Sequence, residues 1–430
     1  MGRLRSMHKA AWIILAIALL IRVAVAFGGT HHFGPNVDSG DYDRYARSIA
    51  FEHSYPPSTL AADGGPTAFR PPGYPVFLAA VYALPGPDVR AGLLAQALLG
   101  TIVVGLIGVL ARQLWSRRTA LVSMGIAAVC PPLIVLGASL LSEPLFLVFE
   151  LAAVAAVVEH RRSRHRFRWA VAAAVLVALA TLTRINGAWL AIPLAIALWT
   201  ATPAFSRRTL MAPAAFAVVA ALVITPWVVR NAVALHAFIP FSTQPDIALA
   251  RNYNAVAMND RAHPGVAENS PELLAIVRRP GLSEAAVAHE VGSDARAFMR
   301  RHPGYVAQTL LRNTARLLHV ADARIGVPYA KGEGVDGWLA NLGVDAAYLL
   351  ELLALAGILV PAARRVPWFV WVAPLIALLP SLVMAAGRTR YRAPIDPFIV
   401  ILAAIAVVWA WERIAERRSS EPQPASSPAP

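Results

Sequence analysis

Apolar runs of roughly twenty residues, parted by short polar segments, recur along most of the chain. That is the length an α-helix needs to cross a hydrocarbon core about 30 Å thick. The pattern predicts ten membrane spans, at Ala10–Phe27, Val89–Ala111, Ala120–Gly137, Glu143–Glu159, Trp169–Thr183, Gly187–Thr200, Leu210–Val229, Leu342–Val360, Val366–Met384 and Pro397–Trp411. Tyr74–Leu84 is apolar but too short to span, and predicts an interfacial or re-entrant helix. Two polar segments are long, Gly28–Asp88 and Arg230–Asn341, and the second holds helix-compatible stretches at Pro271–Arg278, Ser283–Arg301 and Gly304–Leu318. There is no internal repeat and no regular strand alternation. The fold expected is an all-α polytopic membrane protein of about ten transmembrane helices. Its first extracytoplasmic loop carries juxtamembrane helices, and a larger helical extracytoplasmic region follows. The expected divisions are 1–230 (with the outer loop 28–88), 231–341, 342–412 and a disordered, Ser/Pro-rich cytoplasmic tail over 413–430.

Composition agrees: of 430 residues 57% are hydrophobic and only 15% charged, where a soluble domain is about a quarter charged. That apolar content excludes disorder outside the tail. The single Cys130 excludes a disulfide scaffold. A net charge of +14 raises nucleic acid as a partner, and the placement of the charges removes it. Eighteen of the 39 basic residues fall in short segments on one side of the alternating ladder: Arg3, Arg5 and Lys9, then Arg112, Arg117 and Arg118, the 160–168 loop, Arg207 and Arg208, Arg364 and Arg365, and Arg413, Arg417 and Arg418. Positive charge collects on cytoplasmic loops, so both termini are expected inside and both long segments outside, in a cell inner (plasma) membrane. The first apolar run follows a basic start like a signal peptide, but no small-residue cleavage motif follows it cleanly, and it reads as an uncleaved helix.

The chemistry-bearing residues collect on the outer side. Asp38, Asp41 and Asp43 open an amphipathic helix predicted over Asp41–Glu52, with Tyr42 on its apolar face and Asp38, Ser39 or Gly40 as its cap. Three carboxylates so close leave room for a divalent cation, although the glycine and distal glutamate of an EF-hand are missing. Arg70-Pro71-Pro72-Gly73-Tyr74-Pro75 ends the same loop, its prolines setting a stiff entry to the short apolar helix. Glu143 and Arg184 stand at outer helix boundaries, where charge is costly and function a reasonable default; snorkelling explains Arg184 equally well. Arg230 and Asn231 end the seventh span. Arg388, Arg390 and Arg392, with Tyr391 between, sit in a short outer loop against the orientation bias, which implies an anion to bind, such as a lipid-linked phosphate.

In order along nearly the whole chain these segments resemble bacterial C-type-fold membrane glycosyltransferases of the family-39-like kind. These are related to protein O-mannosyltransferases and to the aminoarabinose transferases that modify lipid A. The resemblance rests on Asp38 with Tyr42, Arg70–Pro75, Ser142-Glu143, Thr183–Gly187, Pro226–Asn231 and Arg390–Pro394. Where relatives often carry Asp-Glu this chain has Asp38-Ser39, and Asp41 is a candidate for part of the second carboxylate's role. The resemblance implies transfer of a sugar from a polyprenyl-phosphate donor to an extracytoplasmic acceptor (envelope glycan, lipid or protein) with inversion at the anomeric carbon. Asp38 matches the catalytic carboxylate, with Asp41 beside it. Tyr42, Arg70, Tyr74, Glu143, Arg184, Arg230, Asn231, Arg390, Tyr391 and Arg392 are then expected to bind donor phosphate or substrate. The rival readings are a transporter or flippase of an anionic lipid, which would favour internal repeats and midplane charges, and an oligosaccharide polymerase or ligase.

Overall fold

The computed structural model describes residues 2–28, 33, 37–84, 88–163, 166–199, 207–260, 270–384 and 389–420, and among these every regular element is helical. The membrane-type helices of the first half are α1 (Gly2–Gly28), α4 (Val89–Leu114), α5 (Arg117–Val129), α6 (Pro131–Gly137), α7 (Glu143–Arg162), α8 (Arg166–Thr183), α9 (Asn186–Leu198) and α10 (Arg207–Leu235). Between α1 and α4 lie α2 (Asp38–Arg47), continued by one π-helical turn at Ser48–Glu52, and α3 (Gly73–Tyr82). The middle of the chain forms α11 (Gln244–Asn252), α12 (Ala255–Asn259), α13 (Pro271–Val277), α14 (Glu284–Arg301), α15 (Pro303–Leu317) and α16 (Val327–Gly332). Three more follow the pattern of the first half: α17 (Gly337–Leu359), α19 (Phe369–Met384) and α20 (Asp396–Ser420), with a single turn, α18 (Pro361–Arg364), between the first two.

Each of the ten apolar runs coincides with helix. The chain is a multi-pass membrane protein: five helices (within α1, α4, α10, α17 and α20) are long and apolar enough to cross a bilayer, and α5 with α6 makes a sixth as a bent pair. The run expected as one span over Ala120–Gly137 is broken by 57°. The reason is local. Pro131 and Pro132 have no N–H to donate to the carbonyls of Ala127 and Ala128, so the helix cannot continue. Arg22 of α1 supplies those donors instead, Nη2 to Ala127 O and Nη1 to Ala128 O, both at 3.1 Å. A buried guanidinium thus satisfies carbonyls that no water would reach.

Two details differ from expectation at the chain's polar ends. The helix predicted from Asp41 begins at Asp38, with Val37 as its N-cap and no side-chain cap. The tail expected to be disordered from residue 413 is helical to Ser420, because no helix breaker occurs before Pro422; residues 421–430 lie outside the described residues, as does Arg388.

The main core is built from small and branched side chains of the membrane helices, among them Ala153, Val154, Ala173, Leu190 and Phe369. A second core, around Ile247, Tyr253, Val287 and Tyr305, holds α11, α13, α14 and α15 together. A third, of Tyr42, Tyr74, Leu78, Tyr82 and Leu145, packs α2 and α3 onto α4 and α7. Gly73 is needed where α3 meets the end of α8, since a Cβ there would stand 2.6 Å from Thr183 Oγ1.

Candidate active site

The N-terminus of α2 points into the junction of these cores. Its first N–H groups have no helical partner, and the Glu333 carboxylate, just after α16, accepts from Asp38 N (3.2 Å) and Ser39 N (2.9 Å). Ser39 Oγ also donates to Glu333 Oε2, at 2.6 Å. The first turn therefore presents Asp38 and Asp41 on a fixed backbone, Ser39 being buried on the opposite side against Ser139.

Both oxygens of Asp38 are held by arginines from distant parts of the chain. Arg70 Nη2 lies 2.6 Å from Asp38 Oδ1 and 2.9 Å from Asp41 Oδ2. Arg390 Nη2 donates to Asp38 Oδ2, while its Nη1 lies 3.0 Å from Glu333 Oε1. Arg390 Nε is also 3.9 Å from Glu143 Oε1, and Arg184 Nη1 lies 2.9 Å from the same oxygen. Four carboxylates (Asp38, Asp41, Glu143 and Glu333) are thus interleaved with Arg70, Arg184 and Arg390. Burial lowers the pKa of Arg70 and of Arg390, but the adjacent carboxylates outweigh it and hold both guanidiniums well above their ordinary value. Burial pushes the Glu333 carboxyl up, opposed by Arg390 and reinforced by Asp38.

Aromatic rings fix the arginine planes. Arg70 stacks over Tyr42 at 5.0 Å and over Phe69 at 4.7 Å. Tyr42 is braced edge-on by buried Tyr74, ring centroids 4.7 Å apart, and donates its hydroxyl to Ser142 Oγ. Arg184 donates to the same Ser142 Oγ and lies over Tyr391. A cavity opens above this floor, lined by Asp38, Tyr42, Arg70, Arg184, Asn186 and Tyr391 and roofed by Gln244, Pro245 and Ala248 of α11. A second, largely apolar cavity reaches Arg390 from its other side, between Val135, Leu136, Val327 and Val344, with Glu333, His319 and Arg392 at its polar end.

Other residues singled out in the sequence lie beside the cavity. Arg230 donates to Thr67 O (2.6 Å) and stacks on Tyr55 and Trp227, so it anchors the Arg70 loop, while Asn231 donates to Ile239 O and holds the segment after α10. Arg390 and Arg392 sit two apart in one 3-10 turn, which sends them to different sides. Arg392 is buried between Asp396 (2.6 Å) and Glu351 and also donates to Leu317 O. Asp43 turns away from Asp38 to accept from Tyr82 Oη and Arg47 Nε, both at 2.7 Å. Among the described residues no three His, Cys, Asp or Glu side chains converge as a metal site.

Three contributors had no signal in the local sequence. Glu333 is one. Glu284, buried at the start of α14, accepts from Ser58 Oγ (2.5 Å), Ala68 N (2.8 Å) and Thr243 Oγ1 (2.8 Å), and so ties the Arg70 loop to α14 and the start of α11. Arg251 shares a face of α11 with the roof residues Gln244 and Ala248, at i, i+4 and i+7. Its Nε is buried without a hydrogen-bond partner, and among the described residues no carboxylate lies within ion-pair distance of it. Burial lowers its pKa, with Asp38 opposing.

Residues 69–229 match the family model described as dolichyl-phosphate-mannose-protein mannosyltransferase. The matched segment starts one residue before Arg70 and takes in Ser142-Glu143 and Thr183–Gly187. No curated protein sequence matches the chain. Among solved structures, the archaeal oligosaccharyltransferase AglB from Archaeoglobus fulgidus, in complex with an inhibitory peptide and a dolichol-phosphate, superposes with a TM-score of 0.54 at 15% identity, over 97% of this chain and 52% of that one. The apo form of the same organism's oligosaccharyltransferase gives 0.56 at 14% identity, over 95% and 51%. This chain has the C-type membrane glycosyltransferase fold. ArnT from Cupriavidus metallidurans bound to undecaprenyl phosphate gives 0.44 at 16% identity, over 96% and 81%. The chain spans about half the length of the oligosaccharyltransferases it matches.

Proposed function

We propose that the protein transfers a sugar from a polyprenyl-phosphate donor to an acceptor at the extracytoplasmic face of a bacterial plasma membrane, with inversion, and that Asp38 is the general base. The observation that carries this reading is the grip of Arg70 and Arg390 on the two oxygens of Asp38 at the floor of a cavity. A phosphate group competes well for a guanidinium fork, so donor arrival draws Arg390 toward the phosphate and releases one Asp38 oxygen. That oxygen takes the proton of the acceptor hydroxyl or amine as it attacks the anomeric carbon. The sugar–phosphate C–O bond breaks, and its electrons pass to the lipid phosphate, whose developing charge Arg390 and Arg251 stabilise. Arg70 stays on Asp38 and Asp41 and keeps the base oriented. The dolichol-phosphate in the AglB complex is a lipid of the same chemistry and supports this donor class.

The orientation follows from the arginine ladder, which puts Asp38, Arg70 and Arg390 outside and both termini inside. Purified protein in lipid nanodiscs, given a fluorescent polyprenyl-phosphate sugar and envelope extract, should release polyprenyl phosphate and label an acceptor. Movement of intact donor across a bilayer without its consumption would instead identify a flippase. An impermeant thiol reagent should reach a cysteine placed at Ala62 from outside intact cells and one at Ser419 only after lysis; the reverse result would invert the topology.

A further inference from the structure

At the end of the bundle opposite Asp38, α1, α4 and α5 leave a groove that the chemistry above does not use. Its volume is about 740 Å³, and one side is open. Its walls are apolar, with Trp12, Leu15 and Leu19 from α1 and Ile102, Leu106 and Val109 from α4. Its rim is basic. His8, Arg112 and Arg117 stand together there, and Arg117 Nη2 lies 3.4 Å from His8 Nε2. Neighbouring Arg118 is engaged, 3.6 Å from Glu412 and over the Trp411 ring. Among the described residues no carboxylate lies within ion-pair distance of Arg112 or Arg117, although the turn from α4 to α5 holds them close together.

We propose that this groove binds one anionic phospholipid, its phosphate at Arg112 and Arg117 and an acyl chain along Trp12, Leu15 and Leu19. Charge complementarity selects the headgroup: two guanidiniums with no carboxylate in ion-pair distance among the described residues favour a net negative lipid over a zwitterionic one. Length selects the tail. The groove follows α1 from His8 to Leu19 and α4 from Thr101 to Arg112, about 17 Å in each case at 1.5 Å per residue, roughly one leaflet of a 30 Å core. Gly105 borders this path with free space in front of it, since a Cβ there would meet only Leu15 Cδ2, at 3.7 Å. The occupant belongs to the leaflet away from Asp38 and is distinct from the donor lipid. It would fasten α1, which leads into the Asp38 loop, to the α4–α5 pair.

Tryptophan quenching tests this on the full chain in phosphatidylcholine vesicles doped with dibrominated lipid, Trp12 being isolated as the difference between wild type and Trp12→Phe. At equal mole fraction, dibrominated phosphatidylglycerol should quench Trp12 about 25-fold more effectively than dibrominated phosphatidylcholine. Arg112→Gln and Arg117→Gln should each cut that preference about fivefold, and Arg118→Gln should leave it unchanged. Gly105→Leu, which keeps every charge and blocks the tail, should abolish it. Equal quenching by the two lipids, or a preference that survives both the double arginine variant and Gly105→Leu, overturns the proposal. So does displacement of phosphatidylglycerol by an equal amount of undecaprenyl phosphate, which would make the groove a second carrier site.

Discussion

Ser39 Oγ donates to Glu333 Oε2 at 2.6 Å across 294 residues of sequence, and the same carboxylate caps α2 and pairs with Arg390. A carboxylate that α2 lacks at position 39 is therefore supplied by the segment after α16. Burial raises the folded pKa of Glu333, so between its ordinary value of 4.5 and that higher value the folded protein holds a proton the unfolded chain has released. Its contribution to stability is present below 4.5 and is lost as pH rises through the folded pKa. Melting temperatures of detergent-purified protein should fall across that window in the wild type and fall less in Glu333→Gln. Glu333→Ala should cost about 3–5 kcal/mol, as expected for breaking a buried pair.

The two arginines of the 3-10 turn should separate by phenotype. Arg390→Lys keeps charge but loses the fork, and donor affinity measured with a fluorescent polyprenyl phosphate should drop about tenfold. Arg251→Gln should drop it comparably with little change in melting temperature, since among the described residues that guanidinium has no carboxylate partner to abandon. Arg392→Lys should instead destabilise the protein, because Asp396 and Glu351 lose their shared partner. Unchanged donor affinity in both Arg390→Ala and Arg251→Gln would remove the phosphate from this cavity.

Much of the architecture was written in local pattern. Ten apolar runs are helices because twenty apolar residues have few other ways to satisfy their backbone in lipid. Arg390 stood out because arginines in its short loop defy the orientation bias, Arg184 because charge at a helix boundary is costly, and Arg70 as part of the Arg70–Pro75 segment. The partnerships were not legible. Glu333, Glu284 and Arg251 sit in ordinary polar stretches, and only the folded chain sets Glu333 under α2 or buries Arg251 Nε without a hydrogen-bond partner. The bend at Pro131 was legible in principle from the proline pair. The hydrogen bonds of Arg22 to the carbonyls freed there were not, since 105 residues separate Arg22 from Ala127.

That staple gives a prediction independent of any substrate. Arg22→Met should destabilise the protein by about 1–2 kcal/mol, the scale of interhelical hydrogen bonds in membranes. Replacing Pro131 and Pro132 with Ala restores N–H groups that bond the same carbonyls within one helix. The triple variant should therefore recover part of the loss in thermal unfolding. Equal stability of Arg22→Met and wild type would mean those carbonyls find other donors.

Asp38→Asn preserves the shape of the side chain and one acceptor oxygen while removing the proton acceptor. Sugar transfer in the nanodisc assay should fall about 10²–10⁴-fold, with donor affinity kept or improved, because Arg390 loses its competing anion. Asp41→Asn is the matched control. Asp41 shares Arg70 with Asp38, while Arg390 pairs with Asp38 instead, so its loss loosens Arg70 and should cost about tenfold, well short of the loss expected for the base. Folded Asp38→Asn protein that transfers at the wild-type rate while Asp41→Asn is inactive would move the base one turn along α2. Full activity in both would take the chemistry out of this loop, and the Arg70–Asp38–Arg390 chain would then be a structural clamp between α2 and the 3-10 turn.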